Sequence, residues 1–176
     1  VFNHHEQACS MGAFAYSKYT ENWGACYVTT GCGATNTITG LTDAWQDNVP
    51  VMFISGQVKR QDTIGNMNLP LRQYGGQEVN VIPIVQSLCK YATAVLDPLK
   101  IRYHLEKAAY LGSHGRPGPV WLDIPLDVQG ANIDENSLEG FTPSELKEDY
   151  KTTPAEQELL ALETLLQQAK RPIIIA

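Results

Sequence analysis

Four short apolar runs set what this 176-residue chain can become: "WGACYVTT" (23–30), "VPVMFISG" (49–56), "YATAVL" (91–96) and "PVWLDIP" (119–125). Each is too short for a buried helix. Each is continuous rather than alternating, the pattern of a strand covered on both faces. The text between them carries helical spacing. Residues 5–19 read as a helix, and residues 35–47 read as another through Ile38, Leu41 and Trp45. A third opens with Asp97 as N-cap and Pro98 at the first helical position, and runs to about Gly112. Helix and strand in this alternation predict an α/β fold, an open and mostly parallel sheet flanked by helices, with right-handed crossovers.

Composition narrows the class of partner. A hydrophobic content of 43% supports a real core, while a formal charge of −6 with scattered Lys and Arg excludes the clustered basic face that nucleic acid requires. No apolar stretch reaches the roughly 18 residues of a membrane span, and no signal peptide opens the chain. Cys9, Cys26, Cys32 and Cys89 lack metal-ligand spacing, which points to free thiols in a reducing, cytoplasmic setting. The expected division is 1–131 as the main unit, an acidic and irregular linker over 132–153, and 154–176 as the start of another domain. That last stretch holds a helix with Leu159, Leu162, Leu165 and Leu166, then a strand in "RPIIIA". Both ends read as cut.

Three stretches suggest chemistry. Glu6 stands where a helix begins, and two readings compete. A carboxylate in the first turn partners the helix dipole. Alternatively, Ala8, Met11, Gly12, Ala15 and Tyr16 form a small apolar face that draws the helix start inward, giving Glu6 a raised pKa and a specific proton partner. The turn "TTGCGATN" (29–36) places glycines between strand end and helix start, where backbone approaches a ligand. It is not a dinucleotide fingerprint: Asn36 replaces the third glycine, and Ser55 and Gly56 stand where the next strand should end in an acid. Residues 57–76 are polar and glycine-punctuated, a length that implies a working loop.

Taken together, "HHEQACSMGAFAY", "VTTGCGATNTITGLTDAWQDNVPVMFISGQV" and "HGRPGPVWLDIPLDVQ" resemble the pyrimidine-binding domain of thiamine diphosphate enzymes, most of all the acetolactate synthase group. The resemblance implies that the family's first strand and helix are missing, that 1–131 is the pyrimidine-binding domain, and that 154–176 opens the central domain. It makes Glu6 catalytic and cofactor-binding, through N1′ of the aminopyrimidine. It assigns Gly31, Cys32, Gly33 and Asn36 to the cofactor loop, with Cys32 replacing the usual proline and read as an inert thiol. It places Gln77 at the active centre, with Lys90, 13 positions later, as a substrate contact or else a solvated charge. His5 matches a position that is often basic, but neither His4 nor His5 is counted as catalytic. Asp123 is read as structural.

The activity implied is carboligation or decarboxylation of a 2-oxo acid such as pyruvate, with thiamine diphosphate as cofactor. Mg²⁺ ligands would lie in another domain, FAD is left open, and a homodimer or homotetramer is implied. The chain alone would be inactive. Two departures from the acetolactate synthase pattern, Gly76 in place of an aromatic residue and the longer 57–76 loop, imply a polar or larger acceptor, with Arg60 and Arg72 available for anionic groups. The alternatives are a thiamine enzyme of sugar or surface-polysaccharide metabolism, or a non-catalytic relative keeping the fold and interface.

Overall fold

A computed structural model describes residues 1–67, 70–146 and 154–173. Four strands, β1 (Gly24–Val28), β2 (Val51–Gln57), β3 (Tyr91–Ala94) and β4 (Val120–Pro125), form one sheet in the order β1-β2-β4-β3. Every pair is parallel, with Cys26 opposite Phe53, Phe53 opposite Trp121 and Ala94 opposite Asp123. The expected α/β class is therefore observed.

The two faces of the sheet bury different halves of the same strands, as period-2 alternation demands. On one face Cys26, Val51, Phe53 and Trp121 join Ala13 of α1 (Glu6–Thr20) and Leu41 and Ala44. Phe53 and Trp121 stack with ring centroids 5.2 Å apart and planes 3° from parallel. On the other face Val120 and Leu122 pack against Ala108. The helices over 32–46 are two: α2 (Cys32–Thr35) and α3 (Ile38–Gln46). The helix expected over 35–47 is observed as α3, and the break before it falls where buried Thr37 turns its hydroxyl onto the Ala34 carbonyl (2.7 Å).

The remaining crossovers run through α4 (Ile64–Met67), α5 (Ile82–Val85) and α6 (Ile101–Ser113), and α7 (Leu126–Gln129) follows β4. Asp97 caps as expected, accepting the Leu99 N–H at 3.0 Å, though its first turn is 3₁₀ (Pro98–Lys100).

Two expectations of burial are overturned. β1 is an edge strand covered on one face only, for Ala25 and Tyr27 are exposed, Tyr27 by 69%. In α1 the face that is buried carries Ser10, Ala13 and Ser17, whereas Ala8, Met11, Gly12, Ala15 and Tyr16 face solvent. Small residues allow close approach as readily as large ones, and here the sheet took the Ser/Ala face: Ser17 donates to the Pro50 carbonyl (2.8 Å), and Ser10 lies where a side chain on Gly40 would collide.

The chain divides into Val1–Pro143 and Ser144–Ala176. Within the first, Leu138 is buried and Phe141 reaches α6, where the Lys107 ammonium lies over the rings of Tyr103, Tyr91 and Phe141 at 5.2, 5.5 and 5.7 Å. In the second, α8 (Glu156–Gln168) exposes all of its leucines. Residues 174–176, half of the expected "RPIIIA" strand, lie outside the described residues. Among those described, no helix is long and apolar enough to cross a membrane.

Candidate functional site

The carboxyl edge of the sheet gathers most of the residues singled out from the sequence. α1 begins beside it because His5, in extended backbone, caps the helix by accepting the Gln7 N–H on Nδ1 at 3.1 Å. Glu6 is thereby the first helical residue, half-buried, and its Oε2 accepts the Asn36 side-chain N–H at 3.1 Å. Gly33 lies below. A Cβ there would collide with Thr29 Cγ2 at 2.6 Å and stand in ordinary contact, 3.5 Å, with Glu6 Oε1, so it is the Thr29 side chain that leaves room only for glycine. Its own backbone N–H, then the Asn36 amide, hold the Glu6 pKa below the ordinary carboxylate value against partial desolvation, with His5 adding a smaller pull. The raised pKa expected from burial is thus corrected. The helix start is lined with N–H donors, and they outweigh the water that was lost.

Gly31 has φ +63°, and a Cβ on it would fall 1.7 Å from the Gln77 carbonyl oxygen. Gln77 itself sits at φ +61°, a left-handed conformation uncommon outside glycine. Its side chain is exposed, as is that of Cys32 at the start of α2. Glu6, Gly33 and Asn36 are thus in one cluster, and Gly31 and Gln77 meet backbone to backbone beside it. Lys90 does not join them. It stands at the amino end of β3, where its ammonium donates to the carbonyls of His114 (2.5 Å) and Arg116 (2.6 Å). Burial pulls its pKa below the usual lysine value.

Sequence reasoning passed over two residues that shape this edge, Glu78 and Gln57, and read a third, Asp123, as structural. Glu78, buried, accepts backbone N–H groups from Ile64 (2.6 Å), Tyr74 (3.1 Å) and Gly75 (3.2 Å), and so gathers the long loop. Gln57, the last residue of β2, binds partners on three sides, and Asp123 receives the Ser55 hydroxyl (2.5 Å) and the Gln57 amide (3.1 Å). Burial raises the Asp123 pKa to about 6 in spite of these bonds. The signal for Glu78 was its charge beside Gln77 in an otherwise uncharged stretch; Gln57, a polar residue ending an apolar strand, gave a weaker one.

A cavity of about 610 Å³ opens between the ends of β2, β4 and β3, walled by Gln57, Asn66, Arg72, Asn80 and Asp123. Arg60 also borders it, but its guanidinium is engaged with Asp127 (2.7 Å) and the Leu96 carbonyl (2.7 Å). Among the described residues no three His, Cys, Asp or Glu side chains converge as a metal ion would need.

Residues 1–83 match the family model described as thiamine pyrophosphate enzyme, N-terminal TPP binding domain. The chain is 32% identical over 172 residues to the acetolactate synthase large subunit of Cyanidium caldarium, covering 97% of this chain and 28% of that protein. It is 32% identical over 176 residues to the large subunit of Lactococcus lactis, covering 100% of this chain and 29% of the relative. It is 31% identical over 174 residues to the chloroplastic acetolactate synthase of Arabidopsis thaliana, covering 99% of this chain and 25% of the relative. The chain therefore spans less than a third of the length of these relatives.

Proposed function

The chain belongs to the thiamine diphosphate-dependent enzymes, as an acetolactate synthase-like N-terminal domain, and we propose that it supplies the pyrimidine-binding half of an active site acting on a 2-oxo acid. One observation carries the reading: an ionised carboxylate, Glu6, held by Asn36 through Oε2, with Oε1 beside Gly33 and not buried. Such a carboxylate is a strong acceptor for a protonated ring nitrogen, which is what binding an aminopyrimidine through N1′ asks of it. Asn36 orients Glu6. Gly31 and Gly33 supply backbone without side chains where a flat ring would lie, and Gln77 borders the same turn. Thiamine diphosphate, when bound, supplies the nucleophilic carbon that adds to a substrate carbonyl.

Pyruvate or a related 2-oxo acid is the proposed donor, with carboligation or decarboxylation as the reaction. With Arg60 committed to Asp127, Arg72 is the cation on the cavity wall for an anionic acceptor. The division 1–131, 132–153 and 154–176 is retained as a proposal, as are Mg²⁺ ligands in another domain, a cytoplasmic location and inactivity of this chain by itself. FAD is left open. A homodimer, or a tetramer built from it, is supported by the solvent-facing stripe of Ala8, Met11, Gly12, Ala15 and Tyr16, which continues from Glu6 along α1. Lys90, turned to the opposite edge, has no part in this site as proposed. A second reading, an enzyme of sugar or surface-polysaccharide metabolism, is favoured by the polar side chains Asn66, Arg72 and Asn80 on the cavity wall and by Gly76, whose Cβ position is open.

The test is Glu6→Gln in the complete enzyme. Exchange of the cofactor C2 proton, followed by NMR, should slow by about 10²-fold, within the usual span of acid–base contributions. Exchange at the wild-type rate would overturn the assignment.

A further inference from the structure

The carboxamide of Gln57 has four partners. Its Oε1 accepts the Thr30 hydroxyl (2.6 Å) and the Val58 N–H (3.0 Å), and its Nε2 donates to the Val79 carbonyl (2.9 Å) and to Asp123 Oδ2 (3.1 Å). A backbone N–H can only donate and a backbone carbonyl can only accept, so the orientation of the amide is fixed by its neighbours. Every hydrogen-bonding position is filled. The acceptor side is itself braced: Asp123 takes the Ser55 hydroxyl, and Ser55 takes the Trp121 indole N–H at 2.9 Å, in the buried centre of the sheet.

What Gln57 joins gives this arrangement its meaning. Thr30 immediately precedes Gly31, and Val79 follows Gln77 by two residues. Gly31 and Gln77 are the pair that meet backbone to backbone. The carboxamide therefore closes a ring running from Thr30 to Gly31, across the contact to Gln77, along the chain to Val79 and back to β2. We propose that Gln57 is a positioning residue, which sets the spacing between the Gly31–Gly33 turn and Gln77 and so the placement of the two arms of the site about Glu6. This rests on the reading of Glu6 given above.

Glutamate at position 57 is the discriminating change, since it keeps the shape and reverses the donor side. Its carboxylate would face the Val79 carbonyl and Asp123, and the segment bearing Gln77 should be pushed off the turn. Once protonated, the acid can donate again. The charged groups bordering the same cavity are Asp123 from β4, Arg60 and Arg72 from the long loop, and Glu78 just beyond it; Asp123 lies 3.1 Å from the Gln57 amide, so a carboxylate at position 57 titrates together with Asp123, and the pH recovery is a property of that pair. Thr30→Val removes one donor to Oε1 and keeps the side-chain shape.

In the complete enzyme with thiamine diphosphate and Mg²⁺, Gln57→Glu should slow C2 proton exchange about tenfold at pH 7.5, the scale of a small misplacement. The deficit should shrink to about threefold or less near pH 5.5, a recovery that a merely loosened fold would not show. Thr30→Val should cost about threefold, and the double variant no more than Gln57→Glu alone, because both act through one contact. Should Gln57→Glu fail to fold, Thr30→Val decides. Wild-type exchange in Thr30→Val, or a Gln57→Glu deficit that ignores pH, overturns the proposal while a slowed Glu6→Gln leaves the reading of Glu6 intact. Wild-type exchange in Glu6→Gln removes that reading and this inference with it.

Discussion

The two edges of the sheet are finished in opposite ways. At the amino edge polar groups are spent on closing the fold. Lys90 lays its stem where a Cβ on Gly118 would stand 3.2 Å from its Cγ, and gives its ammonium to two backbone carbonyls. Gly112 passes under the Trp23 ring with no room for a methyl, a Cβ there falling 2.3 Å from the indole. At the carboxyl edge side chains bond to side chains, around glycines and a cavity: Asn36 to Glu6, Thr30 to Gln57, Gln57 to Asp123. The first arrangement turns the Lys90 ammonium onto main chain. The second leaves one oxygen of Glu6 and the wall of the cavity accessible, as expected where parallel strands end.

If the carboxyl edge is the working edge, its geometry should be least tolerant at Gly31. Gly31→Ala must place a methyl inside the Gln77 carbonyl and hold alanine at φ +63°. C2 proton exchange in the complete enzyme is expected to fall by about 10²-fold or more. A loss below threefold would show that the Gly31–Gln77 contact does not matter to the site.

Asp123 tests the same edge through pH. Its folded pKa, about 6, lies above the ordinary value of 3.8, so its stabilising contribution is fully present when it is protonated below that value and is lost as pH rises through about 6. The stability of the wild type relative to Asp123→Asn should therefore increase on acidification from pH 7.5 to pH 4, by up to about 3 kcal/mol. Urea unfolding of both proteins at the two pH values measures it. A constant difference would mean that Asp123 titrates normally.

The smallest effect is expected at the amino edge. Lys90→Met keeps most of the packed stem and removes the donors to His114 and Arg116, at a cost of about 1–2 kcal/mol in urea unfolding. C2 exchange and the KM for a 2-oxo acid should not move. A raised KM at unchanged stability would return Lys90 to the substrate and break the contrast between the edges.

The strands were readable in the sequence because a doubly covered parallel strand is a continuous apolar run, and β2 and β4 are such strands. β1 misled for the same reason: "WGACYV" is apolar on both faces, and periodicity does not say that Tyr27 would be left at an edge. Glu6, Gly31, Gly33 and Asn36 were legible through a family resemblance and through chemistry that needs an acid and bare backbone. Gln57 and Glu78 were not, since a carboxamide or carboxylate that bonds to main chain leaves no spacing rule in the sequence.

By itself, the sequence determined the α/β class, the four strands, the caps at Asp97 and the turn with two glycines, because propensity, capping and periodicity act over a few residues. Only the tertiary structure decided which face of α1 is buried, that Glu6 is held as an anion rather than as a raised acid, that Lys90 points away from the site, and that Gly31 meets Gln77. Each of these depends on groups 24 or more residues apart in the chain, or on the balance between lost water and gained N–H donors, and neither is fixed until the sheet brings its edges together.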